Sequence, residues 1–191
     1  GCAAHARFEG SRSSSFVSSG KPIFITFGTG RVSGTIVRDT VHFHALVISN
    51  QAFLEVTSER SFAFEQYPFA GLVGLCLPSI AAEGTTPLFD NIMAQNLLPR
   101  NMFSFFLSPE EAGSVVIFGG INSELLAGPV HWVPLLPSVY WEVGMSDLLI
   151  GGKSLDVCDP LCRVAVDTGT SLFTGPSDRI HAVVRMLRPL L

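Results

Sequence analysis

A single carboxylate, Asp167, lies where an apolar, β-branched run meets a turn of small and hydroxyl-bearing residues. The run Val164–Val166 predicts a buried strand, because short β-branched runs before turn residues are typical of sheet interiors. In the turn, Gly169 lacks a Cβ and lets backbone amides approach the carboxylate, while three hydroxyls within residues 168–171 can hold its oxygens. A carboxylate so placed keeps a fixed orientation, and it is costly to bury unless such partners exist. The alternative is an ordinary turn residue, since Asp and Gly are common in turns.

The cysteines are a second set of residues with chemical potential. Cys158 and Cys162 are separated by three residues just before the Asp167 strand. A zinc site would need a second ligand pair nearby, and a redox motif normally has two intervening residues. A structural disulfide is therefore favoured, and it implies an oxidising compartment. Cys76 is most simply a buried apolar thiol, and Cys2 has no obvious partner.

Three further titratable residues are not expected to form a site. Asp39 is followed by a threonine, but Val41 puts a β-branched side chain where a catalytic turn needs glycine. His42 and His44 alternate along a predicted strand and so share one face, which could ligate a metal. Without a carboxylate or cysteine at metal-ligand spacing, a solvated strand face is favoured. No metal and no cofactor are expected.

Composition limits the class of protein. The 191 residues suggest one or two domains, and an apolar content of 47% is high for a soluble protein. No apolar run approaches the ~18 residues of a membrane helix, so the apolar excess belongs in sheets. A net charge of −4 gives no excess of basic residues for binding phosphates, so nucleic acid is not an expected partner. No secretory leader is recognised, which means little if the chain is a mature or partial piece.

The apolar pattern predicts a mainly β protein with two short helices. Residues 23–27 and 31–37 flank a Gly-Thr-Gly tip and predict a hairpin, as do residues 103–107 and 114–120. Thr86 is the expected N-cap and Pro87 the first residue of a helix over 86–96. A second helix is expected over Ser177–Leu187, with Ile180, Val183, Val184 and Leu187 on one face.

The segment Val164–Pro176 closely resembles the second active-site segment of the pepsin-like aspartic proteases. Other landmarks of that family occur in order along essentially the whole chain: the hairpin with its glycine tip, Leu72-Val73-Gly74, Phe118-Gly119-Gly120 and the cysteine pair. The resemblance implies a bilobal acid protease fold, incomplete at both ends. Residues 1–125 would be the remainder of the N-terminal lobe, and residues 126–191 the first part of the C-terminal lobe.

The family assigns roles to particular residues. Asp167 is implied as one of two catalytic aspartates, with the first Asp-Thr-Gly expected upstream of Cys2 and that cysteine's disulfide partner before Gly1. Phe27 stands where most members have a flap tyrosine, and Ala70 replaces a usual Asp. The implied substrate contacts are the flap residues Phe27, Gly28, Thr29 and Gly30, the pocket residues Phe69 and Tyr140, and Gly169, Thr170 and Ser171 beside the aspartate.

The implied function is an aspartic-type endopeptidase that cleaves peptide or protein substrates with an Asp dyad and an activated water. A singly protonated dyad favours acidic pH, so a secreted, vesicular or lysosome-like location in the secretory pathway is expected. The full-length enzyme would be monomeric, and this chain alone inactive. One alternative is a catalytically inactive peptide-binding homologue, for which Phe27 and Ala70 argue. Another is a half-enzyme that dimerises to pair two copies of Asp167.

Overall fold

The computed structural model describes residues 6–27, 30–60, 69–110 and 112–188, with Phe27 and Arg60 described by their backbone alone. The chain divides into two compact units, Gly1–Ala127 and Gly128–Leu191. Strands outnumber helices in both units, which confirms the predicted mainly β class. The assignment of residues 1–125 and 126–191 to two lobes stays a prediction. None of the described helices is long and apolar enough to cross a membrane.

The first unit is built on an antiparallel three-stranded sheet. Its strands are β1 (Val17–Phe27), β2 (Gly30–Phe43) and β3 (Leu46–Arg60), in that order across the sheet. Residue alternation directs one face of β2 inward, because successive side chains of a strand point to opposite faces. The backbone pair Phe27↔Gly30 closes the β1–β2 hairpin and confirms that predicted element. Its tip, Gly28 and Thr29, lies outside the described residues.

The core of this unit joins the sheet to helix α1 (Leu88–Ala94). Ile48 of β3 packs with Leu88 and Ile92, and all three are buried. The helix begins later than predicted, with Pro87 as its N-cap and no side-chain cap, so the prediction of Thr86 as N-cap is wrong by one residue. The reason lies in tertiary contacts, because the Thr86 carbonyl accepts a hydrogen bond from Gln51 Nε2 at 3.1 Å.

The second predicted hairpin of this unit is also confirmed. Strands β4 (Phe103–Phe106) and β5 (Val115–Phe118) pair in antiparallel register. The Phe89 ring of α1 meets the Phe103 ring edge to face at 4.9 Å between centroids, a favourable aromatic geometry. This contact attaches the hairpin to the core.

The second unit contains two small antiparallel sheets and a helix. β6 (Glu142–Met145) pairs with β9 (Cys162–Ala165), and β7 (Leu149–Ile150) pairs with β8 (Lys153–Ser154). Helix α2 spans Ser177–Leu187, as predicted. Of its apolar face, Ile180 and Val183 are half-buried and Val184 and Leu187 are exposed.

The strand before Asp167 differs from its prediction. β9 ends at Ala165, and Val166 is 61% exposed rather than buried. The prediction of a buried strand is wrong for the described residues: β9 pairs with one strand, β6, and its end at Ala165 and Val166 is exposed. A β-branched run reports the strand conformation, whereas burial depends on what packs against the strand.

The cysteines follow the predicted pattern where the structure describes them. Cys158 and Cys162 form a disulfide with 4.9 Å between their Cα atoms, which confirms that pairing. Cys76 has no disulfide partner among the described residues and is half-buried, and this burial raises the pKa of its thiol. Cys2 lies outside the described residues.

The two histidines do not share a strand. His42 lies on β2, but His44 lies in the β2–β3 turn with φ 52°, so the prediction of a common strand face is wrong. The tight turn between Phe43 and Leu46 requires a residue in the left-handed region, which histidine tolerates better than β-branched residues do. The described part of the chain contains no group of three His, Cys, Asp or Glu side chains placed to hold a metal ion.

Candidate active site

The Asp167 carboxylate is oriented by its own turn. The Gly169 N–H donates to Oδ1 at 2.8 Å, and the Thr170 hydroxyl donates to Oδ2 at 2.5 Å. The Thr170 N–H also donates to the Asp167 carbonyl oxygen at 3.3 Å, which closes the turn. Both carboxylate oxygens therefore have a fixed direction, while the residue remains exposed. An oriented, accessible carboxylate can exchange protons with a bound water.

A side chain at Gly169 would crowd this geometry. A Cβ added at Gly169 would lie 3.1 Å from Asp167 Oδ1, closer than an ordinary van der Waals contact. The missing side chain lets the backbone N–H reach the carboxylate. Ser171 is exposed in the same turn, and Thr170 is the hydroxyl residue that the structure brings to Asp167.

Two strands deliver Asp167 to its position. β9 pairs with β6 through four residue pairs, from Met145↔Cys162 to Glu142↔Ala165. Beyond the last pair, the Val166 N–H donates to the Trp141 carbonyl at 2.9 Å. The backbone is therefore held up to the residue before Asp167, and the disulfide closes the loop at the other end of β9.

A network of charged and polar side chains that the sequence analysis did not predict lies at β6 and β9. Glu142, only 9% exposed, forms an ion pair with Arg163 and accepts a hydrogen bond from the Ser138 hydroxyl at 2.6 Å. The Ser138 hydrogen bond first, and the Arg163 guanidinium second, lower the pKa of Glu142. The sequence indicates this ion pair only by placing opposite charges, Glu142 and Arg163, on two strands. The two side chains meet because β6 and β9 pair in one particular register.

The remaining predicted contact residues lie in separate parts of the chain. The Tyr140 N–H donates to Ser138 Oγ at 3.2 Å, and the residue is 53% exposed. Phe69 lines a cavity of about 790 Å³ within the first unit, together with Val32, Leu72, Cys76 and Leu88. Gly30 begins β2, whereas Gly28 and Thr29 lie outside the described residues and the Phe27 ring is not described. The implied role of these flap residues as substrate contacts stays a prediction.

Asp39, the other aspartate followed by threonine, has different surroundings. It is 4% exposed, and its Oδ1 accepts hydrogen bonds from the Ser15 hydroxyl, the Ser13 hydroxyl and the Thr40 N–H. These hydrogen bonds, the one from Ser15 above all, lower the pKa of Asp39. The arrangement fits a residue that fastens the segment of Ser13 and Ser15 to β2 rather than one that contacts a substrate.

Comparison with known proteins relates the whole chain to one family. Residues 1–189 match the model described as eukaryotic aspartyl protease. The pregnancy-associated glycoprotein of Equus caballus is 43% identical over 188 residues, which cover 98% of this chain and 48% of that protein. Pepsin A of Gallus gallus is 39% identical over 188 residues, with 97% and 51% covered. Cathepsin E of Oryctolagus cuniculus is 41% identical over 182 residues, with 94% and 46% covered. The chain spans about half the length of the curated relatives it matches.

Proposed function

The chain belongs to the eukaryotic aspartyl protease family, and from this premise we propose that the protein is an aspartic-type endopeptidase. The observation that carries the proposal is Asp167, an exposed carboxylate with one oxygen bonded to the Gly169 N–H and the other to the Thr170 hydroxyl. That arrangement suits a group that must hold a water in one direction. Asp167 is accordingly one of two catalytic carboxylates.

The reaction needs two carboxyl groups and one water. Carboxylates about 3 Å apart do not readily both ionise, so the pair shares a proton and titrates as a unit. The ionised member takes a proton from the water, whose oxygen attacks the peptide carbonyl carbon. The protonated member donates a hydrogen bond to the carbonyl oxygen. As the C–N bond breaks, a proton passes to the leaving nitrogen, giving a carboxylic acid and an amine.

The second carboxylate of this reaction lies, in our proposal, in a part of the protein that the present sequence does not contain. The chain covers about half of its relatives' length, which leaves room for such a segment. Asp39 is unsuited to the role because it is buried and its Oδ1 already accepts three hydrogen bonds.

The proposed substrates are peptides or proteins with apolar side chains beside the cleaved bond. The proposed contacts are Phe27, Gly28, Thr29, Gly30, Phe69, Tyr140, Gly169, Thr170 and Ser171. Exposure supports two of these contacts, because Phe69 is 37% and Tyr140 53% exposed, and aromatic rings offer large apolar contact areas. The full-length enzyme is proposed to act as a monomer.

The proposed location is the secretory pathway, with acidic vesicles or secretion as its narrower forms. The Cys158–Cys162 disulfide supports this proposal, because disulfides persist in oxidising compartments and are rare in the cytosol. Sharing of one proton by the dyad supports an acidic working environment.

The test is Asp167→Asn in the protein produced from its full transcript. The substitution keeps size and hydrogen-bonding capacity but removes the titrating group, so hydrolysis of an apolar peptide at acidic pH should fall at least about 100-fold. The matched control is Asp156→Asn, since Asp156 is exposed in the same unit and its left-handed φ of 50° suits asparagine. Hydrolysis that survives Asp167→Asn would refute the role of Asp167, and a wild-type protein that binds but never cleaves peptides would favour the inactive homologue.

A further inference from the structure

Beside the strand that leads to Asp167 lies a buried carboxylate with no assigned role. Glu142 of β6 is opposite Ala165 of β9, and Arg163 is opposite Gly144. Glu142 and Arg163 are thus diagonal neighbours on one face of the two-stranded sheet, close enough for long side chains to meet. They form an ion pair, and Glu142 is 9% exposed although it carries a charge. Burial of a charge is costly unless it is paired and hydrogen-bonded, so the pair must hold its geometry closely.

The ion pair also fastens the segment that precedes β6. Arg163 Nη2 donates to the Pro137 carbonyl at 2.8 Å, and the Ser138 hydroxyl donates to Glu142 Oε2 at 2.6 Å. The Leu136 N–H donates to the Glu142 carbonyl at 2.8 Å. Residues 136–138 are therefore attached to β6 and β9 by both backbone and side-chain hydrogen bonds.

Two residues of the proposed site depend on this attachment. Ser138 Oγ accepts the Tyr140 N–H at 3.2 Å, so the hydroxyl bonded to Glu142 also sets the backbone of Tyr140. Trp141, the next residue, accepts the Val166 N–H, the last backbone hydrogen bond before Asp167. The network thus reaches Tyr140 on one side and the Asp167 turn on the other.

The sheet needs such support because it is small. β6 and β9 share four residue pairs, and a two-stranded antiparallel pair of that length is marginal in water by itself. Val166 is exposed and adds little packing to hold the end of β9. Side-chain bonds across the two strands add to the backbone hydrogen bonds that fix where the chain leaves the sheet.

We propose that Glu142, Arg163 and Ser138 are positioning residues for peptide hydrolysis: the Glu142–Arg163 pair fixes the approach of Asp167, and the Ser138 hydroxyl fixes Tyr140. This inference rests on the proposed function. It assigns the two effects to different kinetic constants, because displacement of Asp167 impairs the chemical step, whereas displacement of Tyr140 weakens substrate contact.

The test compares Arg163→Gln, Ser138→Ala and the double variant Glu142→Gln/Arg163→Gln in the full-length protein. Arg163→Gln removes the ion-pair partner of Glu142 and should lower kcat about 10- to 100-fold, the cost of a misplaced catalytic group. Ser138→Ala should raise KM about tenfold, because the Tyr140 N–H loses its acceptor, and should lower kcat less than Arg163→Gln does, because Glu142 keeps its ion pair. The double variant removes both charges, so no carboxylate is left buried without its ion-pair partner, and it should restore part of kcat. Arg185→Gln, an exposed arginine of α2, is the matched control and should match the wild type.

Amide hydrogen exchange at Val166 provides a second readout that needs no activity. Its protection should fall about tenfold in Arg163→Gln and recover in the double variant. The Val166–Trp141 hydrogen bond lies at the end of the β6–β9 sheet, so its exchange rate measures how firmly that end is held. Three results would each overturn the proposal. The first is an Arg163→Gln variant with unchanged kcat and only a lower melting temperature, and the second is a double variant as impaired as Arg163→Gln. The third is unchanged protection of the Val166 amide in Arg163→Gln. A wild-type protein without peptidase activity would contradict the proposed function, and exchange at Val166 would still decide whether these side chains hold the Asp167 backbone.

Discussion

Two aspartates in this chain precede a threonine, and their surroundings separate their roles. Asp39 is buried, and one of its oxygens accepts three hydrogen bonds. Asp167 is exposed, and each of its oxygens accepts one hydrogen bond from its own turn. A carboxylate oxygen offers about two lone pairs, so Asp167 keeps acceptor capacity for a water whereas Asp39 Oδ1 is saturated. The residue type is the same, and its neighbours decide its chemistry.

At the residue scale, Gly169→Ala should lower kcat about tenfold. The new Cβ would lie 3.1 Å from Asp167 Oδ1 and would turn the carboxylate away from the position it needs. Steady-state kinetics on an apolar peptide, in the full-length protein, measures this effect. Gly175→Ala is the control, because a Cβ there meets Ile180 Cδ1 at an ordinary 3.5 Å. Equal kinetics for the two variants would contradict the steric argument.

At the element scale, buried carboxylates link strands to neighbouring segments. Asp39 of β2 accepts hydrogen bonds from Ser13 and Ser15, and Glu142 of β6 pairs with Arg163 of β9. In both cases the partners lower the pKa of the carboxyl group below its usual value. A lowered pKa in the folded state means that the ionised group stabilises the fold.

The pH dependence of stability follows from the sign of these shifts. The contribution of Asp39 is fully present above its unfolded pKa of about 4 and is lost as the pH falls through the lower folded value. Asp39→Asn should therefore lower the melting temperature near pH 6 and flatten its decline between about pH 4 and 2. Thermal unfolding at several pH values measures both effects. Glu110→Gln, at an exposed position in the same unit, serves as control, and parallel curves for wild type and Asp39→Asn would contradict the assignment.

At the scale of the whole molecule, the second unit exposes large apolar side chains at positions before and after Asp167 in the sequence. Trp132, Leu172 and Phe173 are 75%, 78% and 90% exposed. Apolar groups of this size at a surface usually mark a place where another molecule or another part of the protein makes contact. A peptide substrate and the remainder of a longer protein are the contacts that the proposed function requires.

The 191-residue chain by itself should show no peptidase activity, even with Asp167 intact. A lone carboxylate does not act as base and acid across the same water, so the reaction lacks its second group. Expression of the chain alone and assay of an apolar peptide from about pH 3 to 7, a range that brackets carboxylate and histidine titration, tests this expectation. Turnover that is second order in protein and abolished by Asp167→Asn would show that two copies pair their aspartates.

The sequence by itself determined the features that depend on local order along the chain. Alternation of side chains predicts the hairpins, spacing of apolar residues predicts α2, and the turn residues after Val166 predict the hydrogen bonds to Asp167. The cysteine pair is local in the same sense, because four positions of separation already place the two thiols within reach. These features arise from backbone geometry over a few residues, which the order of residue types specifies directly.

Only the tertiary structure decided which groups are buried and which distant residues meet. The exposure of Val166, the later start of α1 and the Glu142–Arg163 pair all depend on contacts between separate segments. Arg163 reaches Glu142 because β6 and β9 pair in one particular register, and a shift of one residue would direct the two side chains to opposite faces. The residue types at positions 142 and 163 do not specify that register, because the pairing of β6 with β9 is set by the free energy of the whole folded unit.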